Sequence, residues 1–169
     1  MTPAVSTHRE QAPRFTQSLT RIPRDPAASD HRWADLWPHR TQLELAPLDT
    51  APGSARAHAS AVLREWQANQ DTVDIAVLVL TELLTNAVET TWKHNLYSPV
   101  RLWMLGDQAS ILLLIWDATS PAPVLHAATA DAEHGRGLDV VNSLSEQWGF
   151  YRPNERPYGK VVWALIRPL

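Results

Sequence analysis

The stretch from Asp74 to Thr91 constrains the fold of this chain more than any other part of the sequence. It is almost continuously apolar, and its apolar residues recur at the three- and four-residue spacing of an α-helix. The pattern therefore predicts a buried central helix. The residues expected to face the core are Ala76, Leu80, Leu83, Leu84, Ala87 and Val88.

Polar side chains form a different face of the same predicted helix. Glu82 and Asn86 are four residues apart, so one lies a turn above the other, and Glu89 extends the row. Such a row is most often a solvated helix face. A carboxylate beside an amide can also hold a metal-bound phosphate, because oxygen atoms are the ligands that Mg²⁺ prefers. Both interpretations stay open on this helix alone.

The composition favours one globular domain with room for extra segments. The chain has 169 residues, 44% of them hydrophobic, and a formal net charge of −3, which argues against a nucleic-acid partner. It has no cysteine, which excludes disulfides and zinc–thiolate sites. No apolar run is long enough to span a membrane and the N-terminus lacks a signal-peptide core, so we expect a cytoplasmic protein with no membrane partner.

Residues 1–40 differ from the rest in composition. They contain five prolines and no sustained periodicity, which predicts a flexible N-terminal extension before a domain that spans 41–169. Within the extension, Trp33, Leu36 and Trp37 form one short apolar face. It is either a segment that lies across the domain surface, which we favour, or a docking motif for a partner or a second copy.

The remaining segments follow the order β-α-α-β-β-loop-α-β-β. Hairpin connections dominate, so the predicted fold class is α+β: a two-layer sandwich with a mixed, mostly antiparallel sheet and helices on one face. We expect Ser54 to cap the first helix and Asp71 or Thr72 to cap the central one. The predicted inner stripe of the first helix is Ala57, Ala61, Val62, Leu63 and Trp66; the predicted strands are Thr41–Leu48, Val100–Leu105, Ser110–Trp116, Gln147–Tyr151 and Lys160–Arg167.

Two further places add to the candidate site. Asp117 follows the most apolar strand, where a carboxylate could accept a hydrogen bond from a ligand or simply start a turn. The run from His134 to Leu138 reads H-G-R-G-L, in which glycines open a short helix with unpaired N–H groups that favour an anion. Each signal is weak by itself. The order and spacing of all three along the chain make a common binding site a stronger prediction.

Together these motifs resemble the ATP-binding domain of the GHKL superfamily, which has the histidine-kinase-like ATPase fold. More narrowly, they are similar to the single-domain bacterial serine kinases that act as anti-sigma factors. The resemblance covers about residues 41–169. The matching stretches are T-E-L-L-T-N-A from Thr81, I-W-D-A-T-S-P-A-P from Ile115, G-R-G-L-D-V-V from Gly135, and Y-G-K-V-V-W from Tyr158.

The resemblance implies a role for each candidate residue on the phosphate side. It implies that Asn86 binds the Mg²⁺ that bridges the phosphates of ATP, and that Glu82 is the general base. It also implies that Gly135, Arg136, Gly137 and Leu138 close on the phosphates.

On the base side, the resemblance implies that Asp117 accepts a hydrogen bond from the adenine amino group. The loop from Ala118 to His134 would be the lid over the nucleotide. His126 and His134 flank this loop, and we interpret them as solvated rather than metal-binding.

The function implied by the resemblance is that of an ATP-binding anti-sigma-factor-like regulator and serine kinase. Its implied cofactors are ATP and Mg²⁺, and its partners a sigma factor, an anti-sigma antagonist protein, or a second copy in a homodimer. A non-catalytic, nucleotide-gated protein-binding switch is the alternative. A catalytic domain detached from a histidine kinase is a third hypothesis, and Glu82 is the residue that favours catalysis.

Overall fold

The structure is a computed structural model that describes residues 21–27, 31–124, 137–154 and 156–167. Its elements include four helices and five strands. The helices are α1 (His31–Leu36), α2 (Ala51–Glu65), α3 (Gln70–Lys93) and α4 (Gly137–Leu144); the strands are β1 (His39–Leu45), β2 (Val100–Gly106), β3 (Ile111–Asp117), β4 (Gln147–Tyr151) and β5 (Lys160–Ile166).

The strands form one sheet in the order β1-β2-β3-β5-β4, and every neighbouring pair is antiparallel. The crossover between β3 and β5 places the last strand beside the centre and leaves β4 at an edge. β1 is the other edge. The predicted α+β fold with a mostly antiparallel sheet is confirmed.

The buried central helix is confirmed as α3, which is longer than predicted. All six residues expected to face the core are at most 5% exposed. The predicted cap is wrong: Asn69, not Asp71 or Thr72, caps this helix. Asn69 has extended backbone angles, so its side-chain oxygen can turn back and accept the backbone N–H of Thr72 at 2.8 Å.

The first long helix, α2, begins three residues before the predicted cap at Ser54. Pro52 lies in its first turn, where proline costs nothing because the N–H groups there have no helical acceptor. The register of the buried stripe also differs from the prediction, since Ala57 and Ala61 are exposed. The buried residues are Ala51, Ala55, Ala59 and Leu63.

The central strand β3 is buried along its whole length, as its continuous apolar sequence predicts. Its odd-numbered residues from Ile111 to Ile115 pack with α2, α3 and α4 in one cluster. Its even-numbered residues from Leu112 to Trp116 belong to a second cluster on the opposite side. We call the two sides the helix face and the outer face of the sheet.

Residues 21–27 and α1 lie on the outer face. Ile22 and Trp37 are buried there, and the Trp37 indole N–H donates to the backbone oxygen of Arg21 at 3.1 Å. The hydroxyl of Tyr151 donates to the backbone oxygen of Pro23 at 2.7 Å, and burial raises its pKa above the usual value. This part of the predicted extension therefore packs on the sheet, and the domain boundary at residue 41 stays a prediction.

No helix in the described part of the chain combines the length and apolarity that crossing a membrane would need.

Candidate functional site

The start of α4 lies directly against Glu82 of α3. Gly137 is the first residue of α4, and a Cβ built on it would lie only 2.6 Å from Oε2 of Glu82. Glycine is therefore the residue that lets the carboxylate approach the end of this helix. Leu138 is 6% exposed and anchors α4 in the helix-face core. The structure thus brings Glu82 to Gly137, which lies more than fifty residues further along the sequence.

Gly135 and Arg136, which complete the predicted glycine motif, lie outside the described residues, as does the predicted lid from residue 125 onwards. His126 and His134 fall in the same interval. The beginning of the lid, from Ala118 to Val124, is described and contains no helix or strand.

Asn86 lies one turn after Glu82 on α3. Its side chain is half-buried, and within the described residues it takes part in no hydrogen bond; its backbone oxygen accepts the Thr90 hydroxyl at 2.7 Å. The carboxylate of Glu82 likewise has no ion-pair partner among the described residues. An amide oxygen and a carboxylate on successive turns are thus both available to a ligand.

Asp117 is the last residue of β3, and its odd position puts it on the helix face. In the sheet register it lies opposite Lys160, the first residue of β5. Both side chains are 1% exposed. A carboxylate and an ammonium this deeply buried must satisfy one another, because an unpaired buried charge is strongly unfavourable.

The carboxylate of Asp117 is held by one ammonium and one threonine. Its Oδ1 accepts from the Lys160 Nζ at 2.8 Å, from the Thr119 backbone N–H at 2.8 Å and from the Thr119 hydroxyl at 2.5 Å. The Thr119 hydroxyl in turn accepts from Lys160 at 2.5 Å. The three side chains form one buried polar cluster.

The second oxygen of Asp117 is different. Oδ2 is also 2.8 Å from the Lys160 Nζ, but no donor is aligned with it in a hydrogen bond. The contact is therefore Coulombic, and a lone pair of Oδ2 is left for one further donor. The predicted acceptor role of Asp117 is compatible with this oxygen alone.

Lys160 and Thr119 were not predicted as site residues. Lysine at the start of the apolar strand K-V-V-W-A-L-I was the available signal, since a lysine in a buried strand needs a charged partner. Its partner follows only from the register of β3 with β5, which no local pattern specifies.

The arrangement can hold a ligand that carries both a cation and a hydrogen-bond donor. Asn86 offers a neutral oxygen for a hard divalent cation, and Oδ2 of Asp117 accepts one donor. No group of three or more His, Asp or Glu side chains able to hold a metal occurs in the described ranges, so any cation here needs ligand or water oxygens as well. The chemistry of these donors fits a metal–nucleotide complex.

One family model matches most of the chain. The family model of the histidine kinase-like ATPase domain matches residues 45–166, which includes every predicted site residue. A comparison with curated proteins gives no match.

Proposed function

Since the chain belongs to the histidine kinase-like ATPase domain family, we propose that it binds Mg²⁺-ATP on the helix face and phosphorylates a serine of a regulatory partner protein. The binding site consists of Glu82 and Asn86 on α3, Asp117 at the end of β3, and the start of α4. ATP would supply the phosphoryl group, and Mg²⁺ would neutralise charge on its phosphates.

The observation that most supports this proposal is the contact between Glu82 and Gly137. It places a carboxylate at the N-terminal end of a helix, where backbone N–H groups without helical partners attract an anion. A base and an anion-binding helix end are therefore adjacent. Phosphoryl transfer needs both, since the protein's task in that reaction is positioning and charge stabilisation.

The chain's own residues divide the work by their chemistry. Glu82 can accept the proton of a serine hydroxyl, as a general base does. Asn86 provides a neutral oxygen ligand to the cation without adding a second negative charge beside Glu82. The start of α4 provides N–H donors, and Gly135 and Arg136 extend this role in the proposal.

On the base side, Asp117 would accept a hydrogen bond from the amino group of adenine. The oxygen proposed for this contact is Oδ2, because Oδ1 already accepts three donors. Lys160 holds the carboxylate in place at 2.8 Å, and because Oδ2 is itself buried, a ligand reaches it only after neighbouring atoms move aside. An acceptor oxygen at this position favours adenine, whose amino group donates, over a base that presents an acceptor there.

The proposed biological role is that of an anti-sigma-factor-like kinase. Its partners would be a sigma factor and a small anti-sigma antagonist that carries the phosphorylated serine. A homodimer and a location in the cytoplasm belong to the same proposal. The similarity of the T-E-L-L-T-N-A and G-R-G-L-D-V-V motifs to those kinases is its basis.

A non-catalytic nucleotide-gated switch is the second candidate function, and the Lys160 contact favours it. The ammonium already satisfies Asp117, so the nucleotide gains less from this residue than it would from a free carboxylate. Weaker nucleotide binding suits a binding switch. In such a module ATP changes the affinity for the partner protein and is not turned over.

Transfer of radiolabelled phosphate to a panel of anti-sigma antagonist domains tests the kinase and separates the two candidates. We expect Glu82→Ala to bind Mg²⁺-ATP and to lose transfer by about a hundredfold or more, because a general base contributes roughly that much. Asn86→Ala should lose both binding and transfer.

Glu89→Ala is the matched control, since Glu89 is an exposed carboxylate on the same helix. It should leave transfer unchanged. Undiminished transfer in Glu82→Ala would remove the assignment of the base. Tight ATP binding by the wild type without transfer to any antagonist would favour the switch over the kinase.

A further inference from the structure

A cavity of about 350 Å³ lies on the outer face of the sheet, opposite α2, α3 and α4. Its floor includes Trp103 and Trp116, from the neighbouring strands β2 and β3. Its walls are the segment from Arg24 to Ala27 and four residues near the start of β5: Pro153, Asn154, Arg156 and Pro157. The sheet separates this cavity from Glu82, Asn86 and Asp117, so it is not part of the proposed ATP site.

The sheet register fixes the floor of the cavity. Arg101, Trp116 and Val161 are cross-strand neighbours in β2, β3 and β5, and all three line the cavity. The same row continues to Glu44 on one side and Tyr151 on the other. The floor is thus built on regular backbone pairing, which makes it a rigid platform.

Three arginines line the cavity: Arg24, Arg101 and Arg156. Among the described lining residues Asp25 is the acidic one, and its carboxylate accepts the backbone N–H of Ala27 at 3.0 Å. In a chain with a net charge of −3, this is a local excess of positive charge. A concave site with such an excess attracts anions.

Aromatic rings support each of these guanidinium groups. Arg24 lies over Tyr151 at 5.1 Å, Arg101 over Trp116 at 5.1 Å, and Arg156 over Tyr158 at 5.7 Å from the ring centroid. Stacking occupies the flat face of a guanidinium and leaves its N–H edge for an oxyanion.

Arg101 also donates to Glu44 at 2.8 Å, so its charge is partly balanced. Arg24 and Arg156 have no ion pair with a carboxylate within the part of the chain that the structure describes. Both arginines are exposed and can contact a ligand. Their fork of N–H donors matches the paired oxygens of a phosphate.

Apart from the three arginines, Asp25 and Asn154, the described lining is apolar. Pro26, Pro153 and Pro157 contribute to the walls, and the two tryptophans contribute to the floor. The volume lies at the lower end of the roughly 300–1,000 Å³ of small-molecule pockets, which are mainly apolar with a few convergent polar groups. We propose that this cavity binds a phosphorylated small molecule with a planar ring, of about the size of a mononucleotide or less.

Calorimetric titration with phenyl phosphate, in the absence of ATP, tests this proposal. We expect phenyl phosphate to bind more tightly than inorganic phosphate or phenol, since each of these lacks one of the two features that the cavity recognises. In ¹H–¹⁵N spectra of the labelled protein, the indole signals of Trp103 and Trp116 should shift during the titration. Affinity should fall as salt is raised, because the arginines are exposed.

The variants Arg24→Gln and Arg156→Gln should each weaken binding by about tenfold, since each loses a charged donor. Arg64→Gln is the matched control, because Arg64 is an exposed arginine of α2 on the helix face. Asn86→Ala should bind phenyl phosphate like the wild type, which distinguishes this cavity from the ATP site.

Several results would overturn the proposal. These are an absence of phenyl phosphate binding, binding unaffected by both arginine variants, or equal affinity for inorganic phosphate. Binding of a glutamate-rich peptide without binding of phenyl phosphate would instead identify the cavity as a protein-docking surface and would also contradict it.

Discussion

Lys160 balances the charge of Asp117, because its buried ammonium is the only cation found beside that carboxylate in the described chain. Replacing it with methionine should leave a buried carboxylate without a counter-charge. We expect Lys160→Met to lower the free energy of unfolding by about 3–5 kcal/mol, the usual cost of breaking a buried pair.

The double variant Lys160→Met, Asp117→Asn should recover part of this loss, since it removes both charges. Urea denaturation of the wild type, both single variants and the double variant measures the coupling energy. Strictly additive losses would mean that the two side chains do not stabilise one another.

Gly137 gives a second prediction at the scale of single residues. Gly137→Ala should not lower stability, because alanine is a better helix former than glycine by about 1 kcal/mol. Its Cβ would however displace the Glu82 carboxylate, so we expect phosphoryl transfer or ATP hydrolysis to fall by about tenfold or more.

Gly53→Ala is the control for Gly137→Ala. Gly53 also lies in a helix, and a Cβ there would meet only a distal nitrogen of Arg56 at 3.7 Å. If Gly137→Ala keeps full activity, the close approach of Glu82 to α4 has no part in the reaction.

At the scale of elements, the segment 21–27 depends on Tyr151 for its attachment to the sheet. Tyr151→Phe should lower the free energy of unfolding by about 1 kcal/mol at pH 7, because it removes the hydrogen bond to Pro23. Tyr97→Phe, at a tyrosine that is 90% exposed, should have no effect. Urea denaturation of both variants checks this prediction.

The same tyrosine predicts a pH dependence. Burial raises the pKa of Tyr151 in the folded state above its unfolded value of about 10. The stabilisation by the neutral hydroxyl is therefore complete below about pH 10 and is lost as the pH rises further. Wild type should lose more stability than Tyr151→Phe between pH 9 and pH 11; equal losses would contradict this role of Tyr151.

The sequence predicted the elements well where one pattern dominated. The apolar periodicity of α3 and the continuous apolar run of β3 were sufficient, since each is decided by burial alone. The predicted starts of α2 and α3 were wrong because several residues near each start could cap the helix. Which residue begins the helix depends on backbone angles, as at Asn69 before α3. In α2 it depends on a proline that is tolerated in the first turn.

At the scale of the whole molecule, the α+β sandwich was predictable because hairpin strands and amphipathic helices have few ways to cover one another. The resemblance implied that Glu82 and Gly137 both act on the phosphate side, but their close approach is seen only in the fold. The pairing of Asp117 with Lys160 was not predicted, because it depends on the register of two strands that are distant in sequence. The apolar face of Trp33, Leu36 and Trp37 lies across the outer face, as favoured from the sequence. The burial of Ile22 was missed, since a proline-rich composition resembles that of a flexible extension.

We propose that the helix face holds a Mg²⁺-dependent adenine nucleotide site built on Asn86 and Asp117. Calorimetric titration of ATP, with Mg²⁺ and with EDTA, into wild type, Asn86→Ala and the Glu89→Ala control tests it most directly. We expect binding by wild type and Glu89→Ala with Mg²⁺, much weaker binding with EDTA, and no measurable binding by Asn86→Ala. Equal ATP binding by wild type and Asn86→Ala, or equal binding with Mg²⁺ and with EDTA, would contradict it.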